Sequence, residues 1–373
     1  MPATLFRLYL DNNAASRDDL DSVEEITVEQ EMDMSSEAQL VVPVRTSDKG
    51  TWSAESSPVL TRARRVRVEI KVGSGAWTPL IDGPVVRIDM LMSPEPGQSK
   101  ATLVVHDDSV WLAREDEQKR FDDMLDHEVA RQLFQSVSQI TSTDIEQTTG
   151  AGSAATTVAV QRGTAIEMLM RLAKRNGMHA YVRPGDSPGT SVGVFRKLAT
   201  RGDGIPDLVL LGADRNLARW DSANDNERPV TAVAYSLDVF SKKTASAEAG
   251  LGDVTLLGSD PPLVSGAKAG RRVLSPGHGA FDAKQRVAAE AERASFAVTA
   301  GGEVMSDCYG GVLTPYRVVT VRGVDGRQSG DYAIRQVTHS LGRSLYTQTF
   351  QLMRNARSAG ANAQSTAIPA GIF

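Results

Sequence analysis

Alternating hydrophobic and polar residues dominate the first hundred positions and predict antiparallel β-strands. In the stretch 66–72, four apolar side chains share one face and three charged side chains share the other. A similar alternation in 25–34 and 85–92 predicts two more strands, and glycine-bearing turns at 73–75 and 94–97 join such strands into a meander or barrel. We therefore expect half-buried strands in this region.

The hydrophobic period changes to that of a helix beyond His106. One predicted helix has its apolar stripe at Val129, Ala130, Leu133, Phe134 and Val137, and Asp126 is placed to cap it. A second runs from Thr164 to Gly177, with a capping box of Thr164 and Glu167. Its predicted apolar stripe is Ile166, Leu169, Met170 and Ala173. A hairpin of strands 179–183 and 191–197 is expected to follow.

The second half of the chain contains a segment without a clear period, followed by a return to strands. Residues 243–280 are rich in Gly, Ala, Ser and Pro, which is typical of a long loop. An alanine-rich helix is predicted at about 282–295, and strands at 316–322, 332–339 and 346–353. The last stretch, 357–373, is small and polar until its end, and we expect a mobile tail.

The strands before and after this segment show an internal echo. The order of a strand, a strand after glycine and a closing strand occurs at 66–72, 83–90 and 100–105, and again at 316–322, 330–337 and 346–352. Two related β domains would explain the echo, although any antiparallel β protein can show a similar pattern.

Composition narrows the class of protein. The 373 residues exceed the usual size of a single core, while 32 glycines and 5% aromatic residues favour a β-rich fold. A net charge of -5 argues against nucleic-acid binding through a broad basic face. Arg62, Arg64, Arg65 and Arg67 are interpreted as charges on a solvated strand edge. Cys308, as a single cysteine, suits a reducing cytoplasm and is expected to be buried; no membrane anchor or secretory signal is recognisable.

Candidate chemistry is weak at every position where we find it. The pattern around Ser187 matches G-x-S-x-G, but its flanks predict a hairpin and Pro188 has no N–H for an oxyanion hole. The histidines lack metal-binding spacing. His106, Asp107 and Asp108 lie at a strand-to-helix junction and could bind a cation or activate water, but capping is the commoner role of such residues. We predict no catalytic residue, metal or cofactor.

Several segments together resemble the phage late-control protein D family, which includes the hub of the T4 baseplate and the hub part of type VI secretion spike proteins. The segments are 77–83, His106–Asp107 with 112–114, 161–177, 180–182, 329–332, 337–339 and 346–354. They occur in the family's order over about residues 5 to 356.

The resemblance implies a β-rich α+β fold with two related antiparallel tube-like β-barrels, an intervening mixed α/β domain and an inserted loop and helix region. The implied domains are a first barrel at 1–106, a mixed domain at 107–228, a second barrel at 229–240 and 303–356, an insertion at 241–302 and the tail. A trimer of such chains would present six barrels to a six-fold tail tube.

The resemblance also implies partners and a location. The expected partners are two further copies of the chain, a separate spike protein, a tail tube protein, and baseplate wedge and LysM-type adaptor proteins. The chain would be made in the bacterial cytoplasm and assembled into the baseplate of a phage or a related contractile particle.

For the interface with a neighbouring subunit or the tube, the candidates are Tyr332, Val337, His339 and Tyr346. Strand alternation places Tyr332 and Val337 on opposite faces, one inside the barrel and one available to a partner. Two other functions are considered: a cell-wall-degrading hydrolase that uses His106, Asp107 or Asp108, and a tail tube or sheath component.

Overall fold

The structure is a computed structural model that describes residues 4–46, 50–149, 158–202, 204–238, 242–264, 266–274, 279–305, 307–342 and 345–357. The tail prediction for 357–373 lies outside these residues, except for Arg357. The strands of the first third are β1 (Thr4–Leu10), β2 (Asn13–Ala14), β3 (Glu25–Glu31), β4 (Glu37–Pro43), β5 (Arg65–Val72), β6 (Thr78–Leu91) and β7 (Lys100–His106).

The remaining strands follow in chain order. They are β8 (Asp116–Asp122), β9 (Ile140–Ile145), β10 (Val158–Thr164), β11 (His179–Pro184), β12 (Ser191–Arg196), β13 (Leu208–Val209), β14 (Leu217–Asn224), β15 (Val230–Asp238), β16 (Lys243–Ala249), β17 (Gly270–Leu274), β18 (Val298–Val304), β19 (Val318–Arg322), β20 (Gly330–Gly342) and β21 (Tyr346–Arg354). The helices are α1 (Arg17–Ser22), α2 (Pro58–Thr61), α3 (Ser109–Leu112), α4 (Asp126–Gln135), α5 (Ala165–Asn176) and α6 (Gly279–Ser295).

One sheet of 13 strands contains both the first and the last of the described strands, β1 and β21. Its main path is β14-β18-β21-β20-β3-β4-β7-β6-β5-β1-β2, and β19 and β13 branch from β20. The strands β14, β18, β21, β20, β3, β4, β7 and β6 form what we call the wall. In the middle of the wall, residues Gln336–Gly342 of β20 pair with Glu25–Glu31 of β3. We call this pairing the seam.

Two halves with the same strand order meet at the seam. The first half has the order β3-β4-β7-β6-β5-β1, and the second has β14-β18-β21-β20-β19-β13. In both, the long strand that carries the echo is irregular at one point, between Val85 and Arg87 in β6 and between Ile334 and Gln336 in β20. One difference is that β1 pairs antiparallel with β5, whereas β13 pairs parallel with β19. The internal echo therefore reflects a repeated topology.

A glycine within each of the two long strands, Gly83 in β6 and Gly330 in β20, packs closely against its surroundings. A Cβ at Gly83 would collide with the backbone of His106, and one at Gly330 would collide with the guanidinium of Arg354. A larger residue at Gly83 would push β6 away from β7.

Neither half closes into a barrel among the described strands, so the predicted barrels are corrected to open, two-layered sheets. The edge of β3 that would be needed for closure pairs with β20 instead. In the first half, wall residues such as Leu40 and Leu103 pack against Val68 and Ile70 of β5 around one core. Tyr346 and Leu341 of the second half join this core, so the two halves fold against each other.

The part between the halves contains both helices and strands. Its strands form a pair, β8 with β10, and a three-stranded sheet β11-β12-β9. Helix α5 has the predicted capping box and ends at Gly177 in the left-handed region. Its buried stripe differs from the prediction, because Met168 and Leu172 are buried and Met170 is exposed. Asp126 does not cap α4; Leu125 holds that position, and the Asp126 carboxylate binds Arg175 and Asn176.

The predicted loop at 243–280 contains two strands. β16 and β17 flank β15 in a separate sheet, and α6 covers one face of it through Ala283, Val287 and Ala291. β15 therefore does not belong to the second half, whose first strand along the chain is β13. The piece 229–240 of the predicted second barrel and the predicted boundary at 228 differ from the structure in this respect. Cys308 is exposed, not buried as predicted, because it lies in the turn after β18.

Candidate assembly interface

The charged face of β5 is buried under the hairpin of the middle part. Arg67 is 2% exposed and donates to Glu69, Asp82 and the carbonyl oxygen of Gly185. Arg65 binds Asp82 at 2.6 Å and Asp108 through both of its terminal nitrogens. The sequence predicted a solvated strand edge here. Instead, these arginines tie the first half to the middle part, because the turn between β11 and β12 packs on β5.

The predicted candidate catalytic residues are held in structural contacts. Asp107 is fully buried and accepts hydrogen bonds from the backbone N–H groups of Ser36 and Ser109. Burial raises the pKa of the Asp107 carboxyl, and the hydrogen bonds from Ser109 and Ser36 oppose the rise. Asp108 is saturated by Arg65 and by the Ser191 hydroxyl at 2.6 Å. The His106 Nε2 atom lies 3.1 Å from the Glu37 carboxylate.

The G-x-S-x-G segment is a turn between two strands, as the sequence predicted. It joins β11 to β12, so no helix follows Ser187. The carbonyl oxygen of Ser187 accepts hydrogen bonds from Arg67 and from the Thr190 hydroxyl. The segment thus serves as part of the joint with β5.

A second joint connects the seam region to the middle part. The rings of Tyr181 and Tyr316 stack at 3.6 Å, and the Tyr316 hydroxyl accepts from the backbone N–H of Asp33. The Asp33 carboxylate in turn binds His179 at 2.8 Å. Next to this joint lies a groove of about 900 Å³ whose lining includes Met32, Met34, Met170, Met178 and Met353. Its charged rim is paired largely within itself, as in the contact of Arg335 with Glu31.

All four predicted interface residues lie inside the chain. Tyr332, Val337 and His339 are 0% exposed and Tyr346 is 6% exposed. The prediction that Tyr332 and Val337 occupy opposite faces is wrong, since both belong to the same core. The bulge between Ile334 and Gln336 inserts one residue between them and exchanges the faces of the strand. Their role at an interface stays a prediction about the assembly.

His339 and Tyr346 form a polar contact within the core at the seam. The His339 Nδ1 atom lies 2.8 Å from the Tyr346 hydroxyl, and the two rings are parallel. Burial lowers the pKa of His339 to about 3. The imidazole is therefore neutral at physiological pH, and the contact stabilises the subunit interior.

The wall has an unpaired strand edge at each end. Beyond Pro84, β6 pairs only with β7 among the described strands, because β5 covers just the first part of it. At the other end, β14 pairs only with β18. Large apolar side chains are exposed on the free part of β6, including Val86, Ile88, Met90 and Leu91 at 40–52%. Exposed apolar strand edges are sites where another chain can pair. Sequence alternation identified β6 as a strand but could not show which edge lacks a partner.

One face of the wall is largely polar. Across the seam it presents Glu29 and Glu31 of β3 beside Gln336 of β20, and Gln336 donates to Glu29. On the second half this face has a depression of about 420 Å³ lined by residues such as Arg219, Asp221, Glu303 and Gln351. Hydroxyl, amide and charged groups make this surface hydrophilic. It is suited to face water and not another protein core.

The described residues contain no group of three or more His, Cys, Asp and Glu side chains arranged to hold a metal ion. Among the helices in the described ranges, none has the length and apolar character needed to cross a membrane.

Comparisons with known proteins agree on the fold. No protein-family profile matches the chain, and no curated protein sequence matches it. Solved structures do match. The 43 kDa tail protein of prophage MuSo2 from Shewanella oneidensis has a TM-score of 0.64 at 14% identity, covering 94% of this chain and 98% of that protein. A tail protein from Neisseria meningitidis MC58 has a TM-score of 0.61 at 13% identity, covering 95% and 97%.

A third similar structure comes from a secretion system. It is an E. coli component of the type VI secretion system, described as structurally similar to T4 bacteriophage tail proteins, with a TM-score of 0.55 at 11% identity. The match covers 95% of this chain and 78% of that protein. The chain therefore has the β-rich fold that these phage tail proteins and type VI secretion components share.

Proposed function

We propose that this chain is the hub of the baseplate in a contractile phage tail or a related contractile injection system. Three copies form a ring that adapts a six-fold tail tube to a three-fold spike. The role is structural, and no enzymatic activity belongs to it. The observation that carries the proposal is the repeated strand order β3-β4-β7-β6 and β14-β18-β21-β20 in one continuous wall.

The repeat supports a ring of three, because each chain contains two similar four-stranded segments of the wall, one after the other. Three chains then offer six such segments, which matches a six-fold partner with half the number of subunits. The fold shared with phage tail proteins agrees with this role. The polar face of the wall supplies a hydrophilic surface that can line the channel of the ring.

The ring implies specific neighbours. One end contacts the tail tube protein and the other a separate spike protein, while baseplate wedge and LysM-type adaptor proteins surround it. The chain is made in the bacterial cytoplasm and incorporated into the particle during assembly.

The geometry does not favour the alternative of a cell-wall hydrolase, since Asp107 and Asp108 are occupied by donors within the chain. Purified protein should therefore show no turnover of peptidoglycan. Turnover that is lost in Asp107→Asn would contradict the structural role.

The assembly state tests the hub directly. Native mass spectrometry of the purified full chain should give a trimer. A hexamer would indicate a tube-like component instead, and a monomer that does not associate even inside the particle would rule the hub out.

A further inference from the structure

We propose that the free part of β6, residues 86–91, pairs antiparallel with β14 of a second copy of this chain. This inference rests on the proposed ring and names the two edges that close it. Both edges lack a partner among the described strands. They stand at the two ends of the wall, so pairing them between copies would continue the wall from one chain into the next.

The seam supplies the template, because β20 corresponds to β6. Both strands contain a bulge, and both pair beyond it with the closing strand of their half. Gln336 pairs with Gln351 of β21 just as Arg87 pairs with Val104 of β7. Val337 thus corresponds to Ile88 and His339 to Met90.

The partner strands correspond in the same way. β3 is the first wall strand of its half and pairs with β4; β14 is the first of its half and pairs with β18. Following the register through β4 with β7 and β18 with β21 aligns Thr27 with Asp221. Val28 then corresponds to Ser222, and Glu29 to Ala223.

The register of the seam transfers to the proposed pairing. Within the chain, Val337 lies opposite Gln30, Thr338 opposite Glu29 and His339 opposite Val28. The equivalent pairs between copies are Ile88 with Asn224, Asp89 with Ala223 and Met90 with Ser222. One step further, Arg87 comes opposite Asp225, which places opposite charges side by side.

Burial supports this assignment. Val337 and His339 are 0% exposed at the seam, whereas Ile88 and Met90, at the corresponding positions of β6, are 40% and 47% exposed. A strand placed along β6 with the seam register would cover the edge next to them. Pairing also satisfies the N–H and C=O groups that the open edges leave to water.

The proposed contact is head-to-tail. One copy contributes β6 and the other contributes β14, so the two surfaces differ, and an open chain of copies keeps one free edge of each kind, at its two ends, until the ring closes. A heterologous contact of this kind forms a closed ring when the rotation between copies matches, and three copies then close it.

Disulfide trapping tests the register. In a Cys308→Ser background of the full chain, Asp89→Cys with Ala223→Cys places two thiols on directly opposite residues, where Cα atoms lie about 4.5–5.5 Å apart. Mild oxidation should convert most chains to a disulfide-linked trimer on a non-reducing gel. Thr338→Cys with Glu29→Cys, at the equivalent positions of the seam, should link within one chain. Asp89→Cys with Arg219→Cys, offset by about 13 Å along the strand, should not link.

The outcomes separate the inference from the hub proposal. A native trimer in which Asp89→Cys and Ala223→Cys fail to link, or link no better than the offset pair, overturns the edge pairing and leaves the hub standing. A chain that forms no trimer under native mass spectrometry overturns both.

Discussion

Arg67 shows how a residue that looks like a surface charge becomes a structural joint. Its guanidinium is 2% exposed and bridges Glu69, Asp82 and the hairpin carbonyl of Gly185. Removing one member of such a buried network leaves the other charges without a partner, which is more costly than the net worth of the pair.

Arg67→Met should therefore lower the free energy of unfolding by about 3–5 kcal/mol, as measured by urea denaturation. The matched control is Arg196→Met, since Arg196 pairs with Asp144 on the surface with both side chains about half exposed. The control should cost about 0–1 kcal/mol. Equal small losses in the two variants would show that the joint does not hold the first half to the middle part.

His339 makes the stability of the chain depend on pH. Folding lowers its pKa from 6.5 to about 3, so the unfolded chain takes up a proton that the folded chain refuses. The contribution of His339 to stability is complete above pH 6.5 and is lost as the pH falls from about 6.5 to about 3, by up to about 1.4 kcal/mol per pH unit.

His339→Gln should flatten the fall in free energy of unfolding between pH 6 and 4, measured by urea denaturation at each pH. A slope unchanged by His339→Gln would mean that the imidazole is not buried in its neutral form.

At the scale of elements, α5 has a buried face and an exposed face. Leu169 is 0% exposed, whereas its neighbour Met170 is 37% exposed. Leu169→Ala should lower stability by about 2–5 kcal/mol, and Thr164→Ala by about 1 kcal/mol through loss of the N-cap. Thermal unfolding of both variants, with Met170→Ala as a nearly neutral control, checks the placement of the helix. A Met170→Ala loss equal to that of Leu169→Ala would contradict it.

Local signals in the sequence identified most elements. The predictions failed where the local sequence carries no such signal. The capping box of Thr164 and Glu167 and the strand β5 depend on neighbouring residues, and both are confirmed. The prediction that β5 is half-buried is wrong, because its charged face is buried as well. β16 and β17 were missed because small residues such as Ala247 and Gly270 carry no strand signal of their own. The bulge in β20 has no signature in the sequence, so the two faces of that strand could not be assigned.

The candidate site was less predictable than the fold. The alternating pattern predicted an apolar stripe on β6 that includes Ile88 and Met90. A strand that another part of the same chain covers would show the same pattern. The pairings of β6 show that its edge beyond Pro84 is open among the described strands, whereas the equivalent edge of β20 pairs with β3. The predicted residues Val337 and His339 lie at the position that corresponds to this stripe, inside the chain instead of between chains.

At the scale of the whole molecule, the repeat provides a matched pair of variants. Val337 and Ile88 occupy corresponding positions, one at the seam and one at the open edge. Val337→Asp should unfold the subunit, because it buries an unpaired carboxylate in the core. Ile88→Asp should leave the melting temperature nearly unchanged and abolish trimer formation, since the charge then meets the neighbouring chain.

Circular dichroism melting and native mass spectrometry of the two variants give the comparison. A folded Val337→Asp subunit would argue against the burial of the seam. A trimer that persists in Ile88→Asp would argue against the open edge as the contact between copies.

The central claim is that this chain forms a three-membered ring between tube and spike, and electron cryo-microscopy of isolated tail particles measures it directly. The map should contain three copies at the tube-to-spike junction, with the polar face of the wall lining the channel and six similar wall segments facing the tube. Six copies at that junction, or density for the chain in the tube or sheath and none at the spike, would contradict the account.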